Sequence, residues 1–245
     1  MSLPRRVTAT EDRLAALAGE YGLGHGAVGV LRRLLDFQAE DEHASTTVRE
    51  PAVAVDRHVA DSLVALGLPE VRAATRIADI GAGAGWPGLA LAAALARAHI
   101  ALVESVARRC RYLERALEAA GLANAEVVHA RAEAWAEGAG TRDIVTARAV
   151  AALPVLCEYA APLLARGGVL VAWKGDVDAG EARAGAAAAH DLGLEPLGEL
   201  EVDPYPGAGP ATLHRFRKVA PTPDRFPRRP GIALKRPLGD RPPSG

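Results

Sequence analysis

The stretch that most constrains the fold is RIADIGAGAGWPGLALAAALA, residues Arg76–Ala96. An aliphatic run ends at three alternating glycines, Gly81, Gly83 and Gly85, and a long apolar stretch follows with Pro87 near its start. Glycine permits a sharp reversal and lets a ligand approach the backbone closely, and proline is tolerated in the first turn of a helix. The pattern therefore predicts a strand, a turn built for close contact with a ligand, and a helix.

The region from about residue 72 to residue 219 repeats this alternation of short aliphatic runs and longer helical patterns. The runs are RIADI, HIALVES, AEVVHA, DIVTARA and GGVLVAWKG. Strands that are apolar throughout are expected when helices cover both faces of a parallel sheet. We therefore predict an α/β fold with a doubly wound, mostly parallel, Rossmann-like sheet. The segment LGELEVDPYPGAGPATLHRFRKVA should add a closing hairpin at one edge.

The pattern changes twice along the chain and predicts three segments. Residues 1–70 carry apolar positions at three- and four-residue spacing, which predicts an N-terminal helical cap. Residues 71–219 form the Rossmann-like domain. Residues 220–245 are basic, contain many prolines and cannot bury enough apolar surface to fold alone. We expect this C-terminal arm either to be solvated and partly ordered or to contact phosphates.

An acidic residue supports a nucleoside ligand at the glycine turn. Glu104 ends the next aliphatic run, about twenty residues beyond the glycines, where an acid binds the ribose hydroxyls in nucleotide-binding βαβ units. The string from Gly83 through Gly85 and Gly88 also matches the dinucleotide pattern G-x-G-x-x-G, which alone is a weak signal. The ligand is therefore predicted to contain adenosine, and an NAD-dependent reductase is one reading of the turn.

Two carboxylates favour S-adenosylmethionine over NAD. Asp79 lies just before the glycines, where it would repel a pyrophosphate but could engage loop amides or the ammonium group of a methionine moiety. Glu133, after the third run, would place a polar carboxylate beside the adenine. S-adenosylmethionine is therefore the predicted cofactor.

Bulk composition restricts the class of protein further. The 245-residue chain has a net charge of −1, which as a whole does not predict a partner rich in phosphates. Cys110 and Cys157 lack the spacing of a metal or redox site, and the Ala-rich runs are interrupted before membrane-spanning length. We expect a soluble, cytoplasmic protein with no metal and no membrane association, and, because no interface stripe is evident, a monomer.

Seven motifs resemble one known family in order and over most of the chain. They are RHVADSL, IADIGAGAGWPGLALA, LVES, GLANAEVVHARAE, DIVTARAVA, GGVLVAWKG and RFPRRPGIALKRPL. The chain resembles the bacterial ribosomal small subunit methyltransferase G family, also called glucose-inhibited division protein B. The resemblance implies a class I S-adenosylmethionine-dependent methyltransferase that methylates N7 of a guanine in 16S rRNA of the small ribosomal subunit.

The resemblance also implies the positions of cofactor-binding residues. Those carried over by position are Gly81, Trp86, Ala132, Glu133 and Arg148. The position of Glu104 after the glycines and the family resemblance both predict that it binds the ribose. Gly83 and Gly85 belong to the predicted site because they form the turn. Trp86 is expected to cover the cofactor from the start of the first helix. Arg148 ends the fourth aliphatic run, and without its motif it would be read as a surface ion-pair residue.

Methylation at N7 of guanine requires no catalytic base, because N7 carries a lone pair and no proton. Catalysis then reduces to positioning, and the one candidate for a catalytic role is Arg148. His58 and His129 are expected to be structural.

The RNA target should be an unpaired base. N7 lies on the major-groove edge of guanine, and that groove is too deep and narrow in A-form RNA for side chains to read. Lys174 could orient the RNA backbone or simply pair with an acid. The main candidates for phosphate contact are Lys174, Arg228, Arg229, Lys235 and Arg236; others are Arg5, Arg6, Arg108, Arg109, Arg111, Arg215, Arg217 and Lys218.

One segment departs from the family pattern. The family usually shows an aromatic–asparagine pair and then Asn-Leu-Thr before the RH..DSL motif, whereas LDFQAEDEHASTTVREP contains neither element. This segment belongs to the helical cap, so it bears on the RNA target rather than on the cofactor. The exact nucleotide, and whether the substrate is the 30S subunit or naked RNA, stay open. A methyltransferase acting on a different RNA and a non-catalytic ribosome-assembly or RNA-binding protein are the alternatives.

Overall fold

The computed structural model describes residues 4–239 of the chain, with side chains from residue 9 onward. The strands are β1 (Arg76–Ile80), β2 (His99–Glu104), β3 (Ala125–His129), β4 (Arg142–Arg148), β5 (Leu164–Lys174), β6 (Leu194–Val202) and β7 (Ala211–Lys218). The α-helices are α1 (Pro4–Tyr21), α2 (Ala27–Glu40), α3 (Pro51–Ala54), α4 (Asp61–Leu63), α5 (Pro69–Ala73), α6 (Gly88–Ala94), α7 (Ala107–Ala120), α8 (Leu153–Ala160), α9 (Ala179–Asp191) and α10 (Ile232–Lys235). A π-helical turn and three 3₁₀ turns complete the helical elements: Val55–Ala60, Val64–Gly67, Ala132–Ala134 and Ala136–Gly138.

All seven strands form one sheet in the order β3-β2-β1-β4-β5-β7-β6. β1 to β5 are parallel, and β7 runs antiparallel to both β5 and β6. The predicted doubly wound, mostly parallel sheet is therefore confirmed, as is the hairpin at one edge. The order reverses between β1 and β4, and ligands of open α/β sheets bind at such a switch point, outside the carboxyl ends of the strands.

Both faces of the sheet are buried at its central strands, which explains the apolar sequences of β1, β2, β4 and the second half of β5. Adjacent residues of β1 point to opposite faces, so Ile77 and Ala78 belong to different hydrophobic clusters. Ile77 shares its cluster with Leu17 and Leu31 of the N-terminal helices, whereas Ala78 packs in the cluster that contains Leu156 of α8. The N-terminal helices thus share a continuous core with one face of the sheet.

The described part of the C-terminal arm lies against the opposite face. Ala233 of α10 is buried in the same cluster as Leu156, and Phe226 and Leu238 pack against that cluster. A segment too short to form a core of its own therefore gains its order from the domain on which it docks. Residues 1–3 and 240–245 of the predicted terminal segments lie outside the described residues, and the three-segment division itself stays a prediction.

Candidate active site

The glycine turn lies directly after β1 and has the left-handed backbone that its sequence predicted. Gly81, Gly83 and Gly85 have φ values of 67°, 57° and 96°. A Cβ at Gly81 would lie 2.8 Å from Val150, and one at Gly85 would lie 2.2 Å from Leu89. At Gly83 the nearest atom would be 3.6 Å away. Protein atoms therefore crowd two of the glycines, whereas the third leaves room for a ligand beside the backbone.

Glu104 closes the turn from the end of β2. Its carboxylate is only 3% exposed and accepts hydrogen bonds from the backbone N–H groups of Gly83, at 3.0 Å, and Val106, at 2.8 Å. Arg109 lies 3.6 Å away as an ion-pair partner. Ser105 Oγ is a third, long contact at 3.5 Å from Oε1. A carboxylate has about four acceptor sites, so capacity for ribose hydroxyls is left, in full if this long contact gives way. The acid predicted to bind the sugar also orders the turn beneath it.

Asp79 is a buried acid whose two oxygens are both bonded within the protein. Thr146 donates its hydroxyl to Oδ1 at 2.8 Å, and the first residue of α6, Gly88, donates its N–H to Oδ2 at 3.0 Å. Asp79 therefore links the start of α6 to β1 and β4. The backbone N–H that it binds belongs to α6 rather than to the glycine turn. Burial raises the pKa of Asp79 to about 6, although these hydrogen bonds and Arg148 oppose the shift.

The raised pKa of Asp79 predicts a measurable pH dependence of stability. Between about pH 4 and 6 the folded chain holds this proton more tightly than the unfolded chain, so the contribution to the free energy of unfolding falls as pH rises. We expect the free energy of unfolding of the wild type, relative to that of Asp79→Asn, to fall by about 3 kcal/mol between roughly pH 4 and 7. Urea denaturation of both proteins across this range measures the difference. A gap that does not change with pH would contradict the prediction, because all other titrating groups are common to both proteins.

Trp86 connects the turn to the N-terminal helices. Its ring is 4% exposed, its Nε1–H donates to Gln38 Oε1 at 2.8 Å, and it stacks on His58 with 5.7 Å between ring centroids. The ring is thus packed inside the protein, and it does not cover the cofactor site as predicted. A role for Trp86 in the cofactor site stays a prediction.

His58 is a buried residue whose ring holds two segments together. Its Nε2 lies 3.2 Å from Thr46 Oγ1, and its Nδ1 lies 3.5 Å from Arg148 Nη2. Burial, with the positive charge of Arg148 as a second cause, lowers the pKa of His58 to about 4. The imidazole is therefore neutral near pH 7, which agrees with a structural role.

The segment after β3 places Ala132 and Glu133 beside Glu104. Its Ala130 N–H donates to the carbonyl oxygen of Glu104 at 3.1 Å, and the 3₁₀ turn of residues 132–134 follows at once. The Glu133 side chain, however, is 5% exposed and accepts the N–H of Gly231 in the C-terminal arm at 3.0 Å. The carboxylate is therefore bonded to the arm, and the prediction that it lies beside the adenine stays a prediction.

Arg148 joins two motifs that are far apart in the sequence. From the end of β4 it donates to Asp61 Oδ2 at 2.5 Å and to the carbonyl oxygen of Arg57 at 3.3 Å. Trp173 Nε1–H, on β5, donates to the carbonyl oxygen of Asp61 at 2.8 Å. The RHVADSL motif is thereby held across the ends of β4 and β5. Asp61 lay within a motif that the sequence singled out, but only the fold shows its partner.

A cleft of about 510 Å³ opens beside this ion pair. Its lining residues are Asp61, Arg148, Ala149, Val150, Ala151, Trp173, Lys174, Gly175, Asp176, Pro210 and Ala211. Among the described residues Ala149 is the one non-glycine residue with a positive φ, 56°, a conformation that concentrates at functional sites. Val150 lies between the cleft and Gly81. A molecule in the cleft would therefore be adjacent to a ligand on the glycine turn.

The basic candidates divide into paired and exposed groups. Lys174 forms an ion pair with Glu181 at 2.6 Å, and Arg228 binds both carboxylate oxygens of buried Glu158 at 2.8 and 2.5 Å. Two further candidates also have partners within the fold: Lys218 is buried against the carbonyl oxygen of Leu192, and Arg215 pairs with Glu70. The exposed candidates are Arg108, Arg111, Arg217, Arg229, Lys235 and Arg236, and Arg109 is partly buried near Glu104. The side chains of Arg5 and Arg6 lie outside the described residues.

Residues 4–239 lack two kinds of feature. In that range the structure has no group of three or more His, Cys, Asp or Glu side chains placed to hold a metal ion. None of the helices described there combines the length and the apolarity needed to cross a membrane.

The sheet order, the glycine turn and the acid after β2 together define the class I methyltransferase fold. Precorrin-6y C5,15-methyltransferase from Geobacter metallireducens GS-15 has a similar structure, with a TM-score of 0.51 and 16% sequence identity, over 74% of this chain and 96% of that chain. At this level of identity the likeness concerns the fold, and it confirms the predicted class.

The chain belongs to the rRNA small subunit methyltransferase G family, whose model matches residues 33–198. A relative from Rubrobacter xylanophilus named "Ribosomal RNA small subunit methyltransferase G" is 44% identical over 196 residues, covering 78% of this chain and 75% of its own. One of the same name from Symbiobacterium thermophilum is 37% identical over 239 residues, 93% and 96% of the two chains. The predicted family is confirmed, and the reading as an NAD-dependent reductase is set aside.

Proposed function

We propose that this protein transfers the methyl group of S-adenosylmethionine to N7 of a guanine in 16S rRNA of the small ribosomal subunit. The observation that carries the proposal is the contact of two sites, the glycine turn and the cleft beside Arg148, through Val150. Donor and acceptor would meet there, at the carboxyl ends of β1 and β4. The activity would accordingly be cytoplasmic, and a monomer stays our expectation.

The residues around the glycine turn fit an adenosine-containing cofactor. Glu104 has acceptor capacity for the ribose, and Gly83 leaves space beside its backbone. The peptide groups of Ala132 and Glu133 follow β3 next to Glu104, where an adenine would lie. S-adenosylmethionine supplies, when bound, a methyl group on a positively charged sulfur.

The cleft fits a nucleotide that has been turned out of its helix. Its volume of about 510 Å³ exceeds that of a nucleobase. Its wall carries two cations, Arg148 and Lys174, which are paired with Asp61 and Glu181. A base must leave the stack for chemistry at a buried site, because protein groups do not reach its ring atoms within an A-form helix. Trp173 is the aromatic residue of this wall, but its ring is 6% exposed and its Nε1–H donates to the carbonyl oxygen of Asp61, so it shapes the cleft rather than offering a free stacking face.

The chain would act by positioning. N7 of guanine attacks through its own lone pair, so the methyl carbon gains a bond to N7 as its bond to sulfur breaks, and no proton is removed. The pKa of His58, which burial lowers to about 4, makes its ring a weak base, and this agrees with a mechanism that needs none. Fixing the two reactants in line at contact distance can lower the activation barrier by about 7 kcal/mol. Arg148, which holds the cleft wall in place, is the proposed positioning residue.

The exposed cations of the arm are the proposed phosphate contacts. Arg229, Lys235 and Arg236 are exposed around α10, and cations that neutralise phosphates release counterions and make binding salt-dependent. Arg228 is not in this group, because Glu158 occupies its guanidinium.

The test is methyl transfer to ribosomal substrates from cells that lack the endogenous activity. The protein is incubated with methyl-labelled S-adenosylmethionine and either 30S subunits or naked 16S rRNA, and the modified base is mapped by chain cleavage specific for 7-methylguanine. We expect label at N7 of one guanine, and the better substrate of the two identifies the form recognised.

Other outcomes would contradict the proposal in different ways. Label on another RNA or at another atom would indicate a different acceptor. Cofactor binding without transfer to any ribosomal particle would indicate the non-catalytic assembly protein, an alternative that the unusual segment before RHVADSL keeps open.

A further inference from the structure

Building on the proposed function, we propose that the C-terminal arm sets the affinity for S-adenosylmethionine by holding the adenine-side loop through Glu133. In this role Glu133 is a positioning residue: its carboxylate binds the arm, and its peptide group is the part that would meet the cofactor. The arm would thereby serve cofactor binding as well as RNA binding.

The bond between the loop and the arm is buried and specific. Glu133 Oε1 accepts the N–H of Gly231 at 3.0 Å, and the side chain of Glu133 is 5% exposed. Arg131 Nη1 lies 3.8 Å from the same oxygen. A backbone N–H bonded to a carboxylate is a charge-assisted hydrogen bond, stronger than a neutral one. A buried carboxylate would be costly without such a partner.

The arm is anchored on the domain independently of Glu133. Arg228 binds both oxygens of Glu158, which lies in α8, and this carboxylate raises the pKa of Arg228. Ala233 is buried in the core cluster on the α8 face. At Gly239 the backbone approaches α9 so closely that a Cβ would lie 2.5 Å from the carbonyl oxygen of Ala184. A segment held at these points is a firm partner for the loop.

Apart from this bond, the loop is held mainly by packing, which includes the buried ring of Trp135. Its 3₁₀ turn packs against α8, and Ala132 is partly buried against the same cluster as Ala233. The turn belongs to a loop of short elements between β3 and β4 rather than to a long helix. A hydrogen bond from the arm therefore restricts the position of the Ala132 and Glu133 peptide groups, and the cofactor need not pay the entropy of ordering them.

The backbone conformation of Gly231 directs its N–H toward the carboxylate of Glu133. Its φ is 81°, a left-handed conformation that glycine adopts readily, and it begins α10. A Cβ at this position would meet no atom within 4 Å. Gly231→Ala therefore disturbs the backbone without a clash. Gly167 also has a positive φ, 85°, and open space around it, and it lies near the start of β5, away from the carboxyl edge of the sheet. Gly167→Ala is therefore a matched control.

The experiment compares cofactor affinity among three variants of the loop. Glu133→Ala removes the bond, Glu133→Gln keeps an oxygen acceptor, and Glu137→Ala removes an exposed negative charge from the next turn of the same loop. Calorimetric titration with S-adenosylmethionine, without RNA, gives the dissociation constant. We expect about a tenfold weaker affinity for Glu133→Ala, with Glu133→Gln close to wild type and Glu137→Ala unchanged.

A double-mutant cycle separates an effect through the arm from direct contact with the cofactor. Gly231→Ala should weaken binding in the same direction as Glu133→Ala, and the double variant should be no weaker than Glu133→Ala alone. Gly167→Ala should leave the affinity as in wild type. In methyl-transfer assays the KM for S-adenosylmethionine should rise in Glu133→Ala while kcat and the KM for RNA stay the same, and thermal unfolding confirms that each variant is folded.

Two results would overturn the inference. If folded Glu133→Ala binds S-adenosylmethionine as tightly as the wild type does, the bond to the arm does not contribute to cofactor affinity. Additive losses in the cycle would show that Glu133 contacts the cofactor itself. Absence of S-adenosylmethionine binding in the wild type would instead refute the proposed function, so the two failures are distinguishable.

Discussion

Glu104→Ala is expected to weaken S-adenosylmethionine binding by a factor on the order of 100 or more. The substitution removes the acceptor for two ribose hydroxyls, and hydrogen bonds to charged groups contribute about 1.5–3 kcal/mol each. It also frees the N–H groups of Gly83 and Val106, which the carboxylate now orders. Both losses act in the same direction. Calorimetric titration with the cofactor, and with its adenosyl product, measures the effect.

Glu104→Gln is the control for charge and shape. The amide retains one acceptor oxygen of similar position, so it can keep the bond from Gly83 but cannot also accept two hydroxyl protons. We expect an affinity between those of wild type and Glu104→Ala. Equal affinities for all three proteins would refute a cofactor site at this end of β2, because no other described carboxylate is bonded to the glycine turn.

Arg148→Ala is expected to lower methyl transfer at least about 100-fold and to destabilise the protein by a few kcal/mol. Removing one partner of a buried ion pair costs about 3–5 kcal/mol because the other charge is left unpaired, and partial exposure of both side chains, 19% each, lowers that value here. The segment with Arg57 and Asp61 would also lose its bonds across β4. Denaturant unfolding and initial rates of methyl transfer measure the two effects.

The double variant Arg148→Ala with Asp61→Ala separates structure from catalysis. Removing both charges should restore most of the stability, because no buried charge stays unpaired. Methyl transfer should not recover, since the positive charge beside the cleft is still missing. If activity returns together with stability, Arg148 acts only as a structural ion pair.

The sheet was predictable because its determinants are local. Each of the five parallel strands is a short apolar run, and the glycine turn requires positive φ at Gly81, Gly83 and Gly85, which few other residues adopt. The observed bounds differ mainly at the ends, for example at β5, which begins at Leu164 rather than Gly167. There Arg142 pairs with Leu164 across a shift in register, a feature that neither run shows alone.

Side-chain partners were not predictable because they depend on contacts between distant segments. Trp86 follows the turn and was expected to cover a ligand, but Gln38 offers a buried acceptor to its Nε1–H. Arg228 was read as an RNA contact within a basic run, whereas Glu158 binds it from α8. The pattern likewise predicts Glu133 beside the adenine and cannot indicate its bond to Gly231 of the arm. Sequence identified these residues as important positions and left their partners open.

The position of β7 has a consequence for how the chain is made. On the ribosome β5, which ends at Lys174, is synthesised well before β7 begins at Ala211, yet β7 is its neighbour in the finished sheet. Until then one edge of an apolar strand, GGVLVAWK, has no hydrogen-bond partner, and such edges promote aggregation. The nascent protein therefore passes through a stage in which one edge of this strand is unprotected, and slow synthesis of residues 175–210 would prolong that exposure.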